Sequence, residues 1–245
     1  MSWKASVAAL GLALGCASSP AVGPAPEAEL VVLLHGLGRS ERSMAPMAEY
    51  LEEHGFRTEN VGYASTEQPI RELTESLHDE LQGCCLAAGR RLNFVTHSLG
   101  GILLRAYVAL YPPENMGRAV MLSPPNKGSE LADAVRETWL ADVIPVPALD
   151  ELGTNPDSVP NLLGPVSFEL GVITGDESWH PLGAIAIEGE NDGVVSVESA
   201  QVEGMQAFLV GPTTHTFSMR DPEVAKQVVH FLRTGEFMEN RQPID

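Results

Sequence analysis

"LNFVTHSLGGILLRAYV", residues 92–108, decides the architecture. It opens on a short run of apolar or nearly apolar residues, the signature of a buried strand. Ile102, Leu103, Tyr107 and Leu110 then recur at helical spacing. Only Thr96-His97-Ser98 separates the two patterns, so strand must pass into helix through a very tight turn. Such a turn strains the residue at its tip. A serine held there is held for its hydroxyl, and Leu99-Gly100-Gly101 after it lets the turn pack closely.

The same alternation runs outward in both directions. Upstream, "ELVVLLHG" (29–36) reads as a buried parallel strand. Residues 40–54 read as a helix stopped by Gly55, 56–63 as a second strand, and 70–82 as a helix carrying Ile70, Leu73, Leu77 and Leu81 on one face. Downstream, 117–125, 183–188 and 205–211 read as strands, and 222–235 as an amphipathic helix with Pro222 in its first turn and Gly235 past its end. Strand alternating with helix predicts an α/β fold: a mostly parallel sheet of about six strands, with helices on both faces. Residues 128–182 break the rhythm. They hold a helix-like "SELADAVRETWLADV", then a stretch rich in Pro, Gly and Asn. The expectation is a lid-like insertion, with Trp139, Leu140, Val143, Ile144, Val146 and Leu149 as its apolar set. An ordinary crossover packed on the sheet is the alternative.

Bulk properties bound the function. A chain of 245 residues with 44% hydrophobic content suits one large α/β domain. Its net charge of −18 opposes binding to a phosphate backbone and argues against a basic membrane-surface patch. No nucleic-acid partner is expected. No His/Cys/Asp cluster has metal-ligand spacing, so neither metal nor organic cofactor is expected.

The N-terminus reads separately. "MSWKASVAALGLALGC" has one Lys, then small residues and leucines, too short to span a bilayer. It resembles a bacterial lipoprotein signal: residues 1–15 are removed, and Cys16 is lipidated and becomes the mature first residue. An ordinary signal cleaved near "GCASS" is the alternative. Residues 16–28, rich in Pro and Ala, form a flexible tether. Ala17 is not the acidic residue of an inner-membrane retention signal, which points to the outer membrane. The globular domain is then 29–240. Adjacent cysteines bridge only with strain, so no disulfide is expected between Cys84 and Cys85.

An alcohol attacks a carbonyl poorly unless a base takes its proton and donors meet the resulting oxyanion. "THSLGG" offers the alcohol at Ser98 and one donor at the Leu99 N–H. The stretch resembles the nucleophile elbow of the α/β-hydrolase fold, G-x-S-x-G, with Thr96 in place of the first glycine. "LLHGLGRS" is similar to the His-Gly oxyanion loop of lipases and esterases. That resemblance makes Leu37 N–H the second donor and His35 a residue that fixes the loop. "SPPNKGSE" (123–130) also resembles a segment of such hydrolases. The family's chain order of Ser, acid, His implies Asp192 in "EGENDGVVS" and His215 in "GPTTHTFS". Glu190 and Asp176 compete for the acid. His180, His230, His54 and His78 fit the base position less well, and strand alternation turns His97 away from Ser98. The resemblance therefore implies a lipase- or esterase-like serine hydrolase acting on an ester or lipid. An acyltransferase or thioesterase with the same triad, or an inactive lipid- or partner-binding lipoprotein, are the alternatives.

Overall fold

The computed structural model describes residues 29–86, 91–138, 145–179 and 187–239. The signal sequence, Cys16 and the tether lie outside the described residues. So do His180, Trp139, Leu140, Val143 and Ile144.

Six parallel strands form one sheet in the order β2-β1-β3-β4-β5-β6: β1 Leu30–Leu34, β2 Arg57–Val61, β3 Leu92–His97, β4 Met116–Leu122, β5 Leu170–Gly175 and β6 Ala207–Gly211. β1, β3 and β5 are buried along their whole length, as strands covered on both faces must be. The described α-helices are α1 (Ala45–Glu53), α2 (Ile70–Cys84), α3 (Leu99–Leu110), α4 (Glu130–Arg136), α5 (Pro147–Asp150), α6 (Val159–Leu162) and α7 (Pro222–Thr234), with short 3-10 turns at Glu41–Ser43 and Ser218–Arg220. None of these is long and apolar enough to cross a membrane.

Alternate residues of β1, β3 and β4 feed two cores. Val32, Leu34, Phe94 and Met121 pack with α2 and α3, while Val31, Leu33, Val95 and Val120 pack with α1 and α7. Helix ends follow the sequence signals. The Asp221 carboxylate accepts from the Glu223 and Val224 amides ahead of Pro222, and Gly235 closes α7 with a left-handed φ of 83°.

Two sequence expectations need correction. The fifth strand is 170–175, "LGVITG", inside the stretch read as an insertion. Its two glycines hid it, and both are required. A Cβ on Gly171 would stand 2.7–2.9 Å from the rings of Phe231 and Phe237, and one on Gly175 would stand 1.9 Å from the Thr213 carbonyl oxygen. Of the strand expected at 183–188, residues 183–186 lie outside the described residues, and Ile187 and Glu188 are irregular. The insertion is thus shorter, ending where β5 begins. Its described part is held down by Arg105 of α3, a buried guanidinium that donates to the Asn126, Pro160 and Gly164 carbonyls and to Asn126 Oδ1. Burial pulls that guanidinium down to about 10, which leaves it charged at neutral pH.

The second correction is at Cys84 and Cys85, which form a disulfide at the end of α2. Cys85 has already left the helical conformation (φ −128°), so the pair sits at an opening in the chain, where the two side chains can meet.

The strand order reverses between β1 and β3: the chain leaves β1 toward one edge and returns to build toward the other. In parallel sheets, ligands bind beyond the carboxyl ends of the strands at such a switch point. The loops after β1 and β3 are the ones that carry Leu37 and Ser98.

Candidate active site

Ser98 occupies the turn between β3 and α3 with φ 53° and ψ −122°. That conformation is costly for any residue with a Cβ. It is held from both sides. The Ser98 amide donates to the Leu122 carbonyl at 2.9 Å, extending the β3–β4 ladder, and the Ser98 carbonyl accepts from Gly101. Gly100 is necessary, because a Cβ there would lie 2.6 Å from the Leu34 oxygen and 2.8 Å from the His35 oxygen. α3 can therefore begin hard against the end of β1.

Ser98, His215 and Asp192 come together over 117 residues of sequence. Ser98 Oγ lies 3.0 Å from His215 Nε2, and His215 Nδ1 lies 2.8 Å from Asp192 Oδ2. A carboxylate facing Nδ1 can only accept, so the proton sits on Nδ1 and Nε2 is left to accept from the serine. Asp192 Oδ1 accepts from the amides of Val194 at 3.0 Å and Val195 at 2.8 Å. Burial by itself would push the Asp192 carboxyl up. The His215 charge and hydrogen bond, with the other donors, outweigh it and hold the carboxyl below its ordinary range. The rival acids stay out: Glu190 and Asp176 are exposed, and Asp192 is 2% exposed.

The loop after β1 reaches the same place. A Cβ on Gly36 would stand 3.1 Å from Ser98 Cβ. The Leu37 and Leu99 amides donate to no acceptor among the described residues, which leaves both N–H groups available. His35 braces this loop. Its Nε2 accepts from the Tyr63 amide at 3.3 Å, its Nδ1 donates to the Gly36 oxygen at 2.9 Å, and its ring stacks on Tyr63. Gly38, at φ 65°, donates to Ser65 Oγ.

His97 has a role that the sequence did not reveal. It does turn away from the Ser98 hydroxyl, but toward the base loop: Nε2 donates to the His215 carbonyl at 2.8 Å. Burial first, then the neighbouring His215, push its pKa down to about 3. Folded, it stays neutral; unfolded, it takes a proton near its ordinary 6.5. Between those values the unfolded chain binds one more proton, so stability falls as pH falls, by up to roughly 1.4 kcal/mol per pH unit from this group. His97→Asn is expected to remove that slope. Urea melts of both proteins from pH 7 to 4 check it: parallel lines would mean that His97 is not the group.

For a metal, the described residues bring only Glu59, Cys84 and Cys85 within reach of one another. The two sulfurs are bonded together and offer no thiolate.

The palmitoyl protein thioesterase family model matches residues 30–152, half of the chain. Over 122 residues the chain is 28% identical to a triacylglycerol lipase of Pseudarthrobacter phenanthrenivorans, covering 46% of this chain and 38% of the relative. It is 28% identical to one of Burkholderia plantarii, covering 46% and 34%. The chain thus spans little more than a third of the length of these curated relatives. Among solved structures, the mature form of a Bacillus licheniformis lipase superposes with a TM-score of 0.67 at 20% identity, covering 89% of this chain and 96% of that one. That likeness, together with the parallel sheet and the strand order, establishes the α/β-hydrolase fold.

Proposed function

Since the chain belongs to the palmitoyl protein thioesterase family, we propose that it is a serine hydrolase that cleaves carboxylic esters of fatty acyl groups. The observation that carries this reading is the continuous hydrogen-bonded chain from Ser98 Oγ through His215 to Asp192, ending on a serine in a strained turn. Ser98 attacks the acyl carbonyl, and its proton passes to His215 Nε2. Asp192 holds Nδ1–H in place and stabilises the imidazolium that forms. The Leu37 and Leu99 amides receive the negative charge on the carbonyl oxygen. The intermediate collapses as Nε2 returns its proton to the departing alkoxide. Water, deprotonated by the same nitrogen, then attacks the acyl-enzyme and releases the acid. Labelling by a fluorophosphonate probe tests the reading: no adduct on Ser98 in the folded protein would overturn it.

The family's own name favours a second reading, in which the leaving group is a thiolate. The same residues serve either bond. Turnover of matched acyl oxygen esters and acyl thioesters decides between them.

An apolar rim supports an acylated substrate. A cavity of about 220 Å³ beside His215 is lined by Asp192, Val194, Thr214, Thr216, Trp179 and Phe217. Trp179 and Phe217 are 76% and 53% exposed and meet edge to face. Each methylene buried against such a surface contributes about 0.8 kcal/mol. The double substitution Trp179→Ala, Phe217→Ala is expected to lower the ratio of long-chain to short-chain kcat/KM about tenfold, the equivalent of two methylenes. A p-nitrophenyl ester series measures it, and an unchanged ratio removes the rim from substrate choice.

We also propose that residues 1–15 direct export and that Cys16 carries the lipid anchor, on the outer membrane. The support is "LALGC" followed by the Pro/Ala stretch. Mass spectrometry of the mature N-terminus is expected to find an acyl mass on Cys16; a first residue beyond it, without acyl mass, would refute the proposal.

A further inference from the structure

Two residues other than glycine have positive φ in the described chain: Ser98 at 53° and Ser123 at 49°. They occupy equivalent places. Ser98 follows β3 and donates its amide to Leu122. Ser123 follows β4 and donates its amide to Ile173 at 2.8 Å. The strain at Ser98 is explained by its hydroxyl. At Ser123 a glycine would meet the same backbone requirement at no steric cost, so a hydroxyl there needs its own reason.

Its surroundings supply one. Ser123 is fully buried. Leu122 pairs with Ile173 across the sheet, so Ser123 stands beside Thr174 and Gly175. Asp192 lies over Gly175, where an added Cβ would come within 3.1 Å of Asp192 Cβ. The Ser123 hydroxyl thus faces the Asp192 carboxylate and helps hold that carboxyl low. Yet its Oγ makes no well-formed hydrogen bond with any of the described residues. Hydrogen bonds of catalytic groups are often long in a ligand-free enzyme and tighten as charge develops.

We propose that Ser123 is a positioning residue whose hydroxyl closes on the Asp192 carboxylate, completing its donors and fixing how strongly that carboxylate holds the His215 ring. This rests on the triad reading given above. Asp192 already accepts from two backbone amides and from His215 Nδ1. A further donor draws charge off the carboxylate. Removing it leaves a more basic carboxylate, which favours the imidazolium, so His215 should titrate at higher pH. Of the other groups near His215, His97 is held neutral by its burial, and Arg39 is bonded to Thr216 Oγ1.

The test compares wild type with Ser123→Gly and Ser123→Ala by NMR titration of the His215 ring, thermal melting, and the pH profile of kcat/KM on a short ester. Both variants should move the His215 midpoint upward, the direction expected when the carboxylate loses a donor. The acid limb of the profile should move the same way. The glycine variant should melt no lower than wild type, because it relieves φ, and it keeps the test open if the alanine variant does not fold. A midpoint unmoved in the glycine variant, or moved in glycine and not in alanine, reduces Ser123 to a turn residue. The titration needs no turnover. A shifted midpoint in a protein that hydrolyses nothing would sink the hydrolase reading and leave this inference standing.

Discussion

Ser98→Ala should fold as the wild type does and lose on the order of 10⁶ in kcat, the scale seen when the nucleophile of a serine hydrolase is removed. The two halves of that expectation come from different atoms. What Ser98 gives to the fold is its backbone: the amide that bonds to Leu122, the carbonyl that accepts from Gly101, and a φ of 53° that an alanine bears as a serine does. What it gives to the chemistry is Oγ alone, 3.0 Å from His215 Nε2. Ser98→Gly makes a useful companion. It should be equally inactive and somewhat more stable, by a fraction of the roughly 1–3 kcal/mol that such a conformation stores. Melting curves and initial rates on a short ester check both. A folded alanine variant with near-wild-type turnover would place the nucleophile elsewhere.

How much of this was readable in the sequence depended on periodicity and on glycine. β1, β3 and β4 carry enough Val, Leu and Met to stand out, and α2, α3 and α7 show clean helical spacing. The elbow was legible because Ser98 sits between two unlike patterns. β5 was not legible. A six-residue strand carrying Gly171 and Gly175 has the composition of a loop, and only groups far along the chain, the rings of Phe231 and Phe237 at Gly171 and the Thr213 carbonyl at Gly175, explain why glycine must be there. For the same reason the end of the insertion was misplaced. His97 and Ser123 escaped for another reason. One is a histidine on the far side of its strand from the nucleophile; the other is a serine at the head of "SPPNKGSE", a stretch whose resemblance marks a segment and gives no role to its first hydroxyl. Both act on the base or the acid from strands distant in sequence, and their partners exist only once the sheet is assembled. The disulfide was missed because adjacent cysteines pair only where the helix has already opened, which is a property of conformation and not of spacing.

Asp192→Asn should fold and lose on the order of 10⁴ in kcat, the loss found when a protease triad is altered in the same way. The local hydrogen bonds say why. An asparagine at 192 has one oxygen in place of two. The Val194 and Val195 amides, at 3.0 and 2.8 Å, both need an acceptor, and they would claim that oxygen. The NH₂ group is then turned toward His215 Nδ1, where the carboxylate Oδ2 stood at 2.8 Å. A donor facing Nδ1 forces the ring into the other tautomer, with its proton on Nε2. That nitrogen can no longer accept from Ser98 Oγ, and the nucleophile is left without a base. The loss should therefore fall on kcat, with KM for a small ester little changed. A signature in stability accompanies it. The Asp192 carboxyl lies below its ordinary range when folded, so it stabilises the native state at neutral pH, and that contribution is lost as pH falls through the carboxylate range toward the folded value. The Asp192→Asn variant has no such contribution to lose, so its melting temperature should vary less than wild type between pH 5 and pH 3. A drop in kcat of less than tenfold, with an unaltered acid dependence of melting, would hand the acid's role to another residue, and Glu190 and Asp176 would be the next to replace.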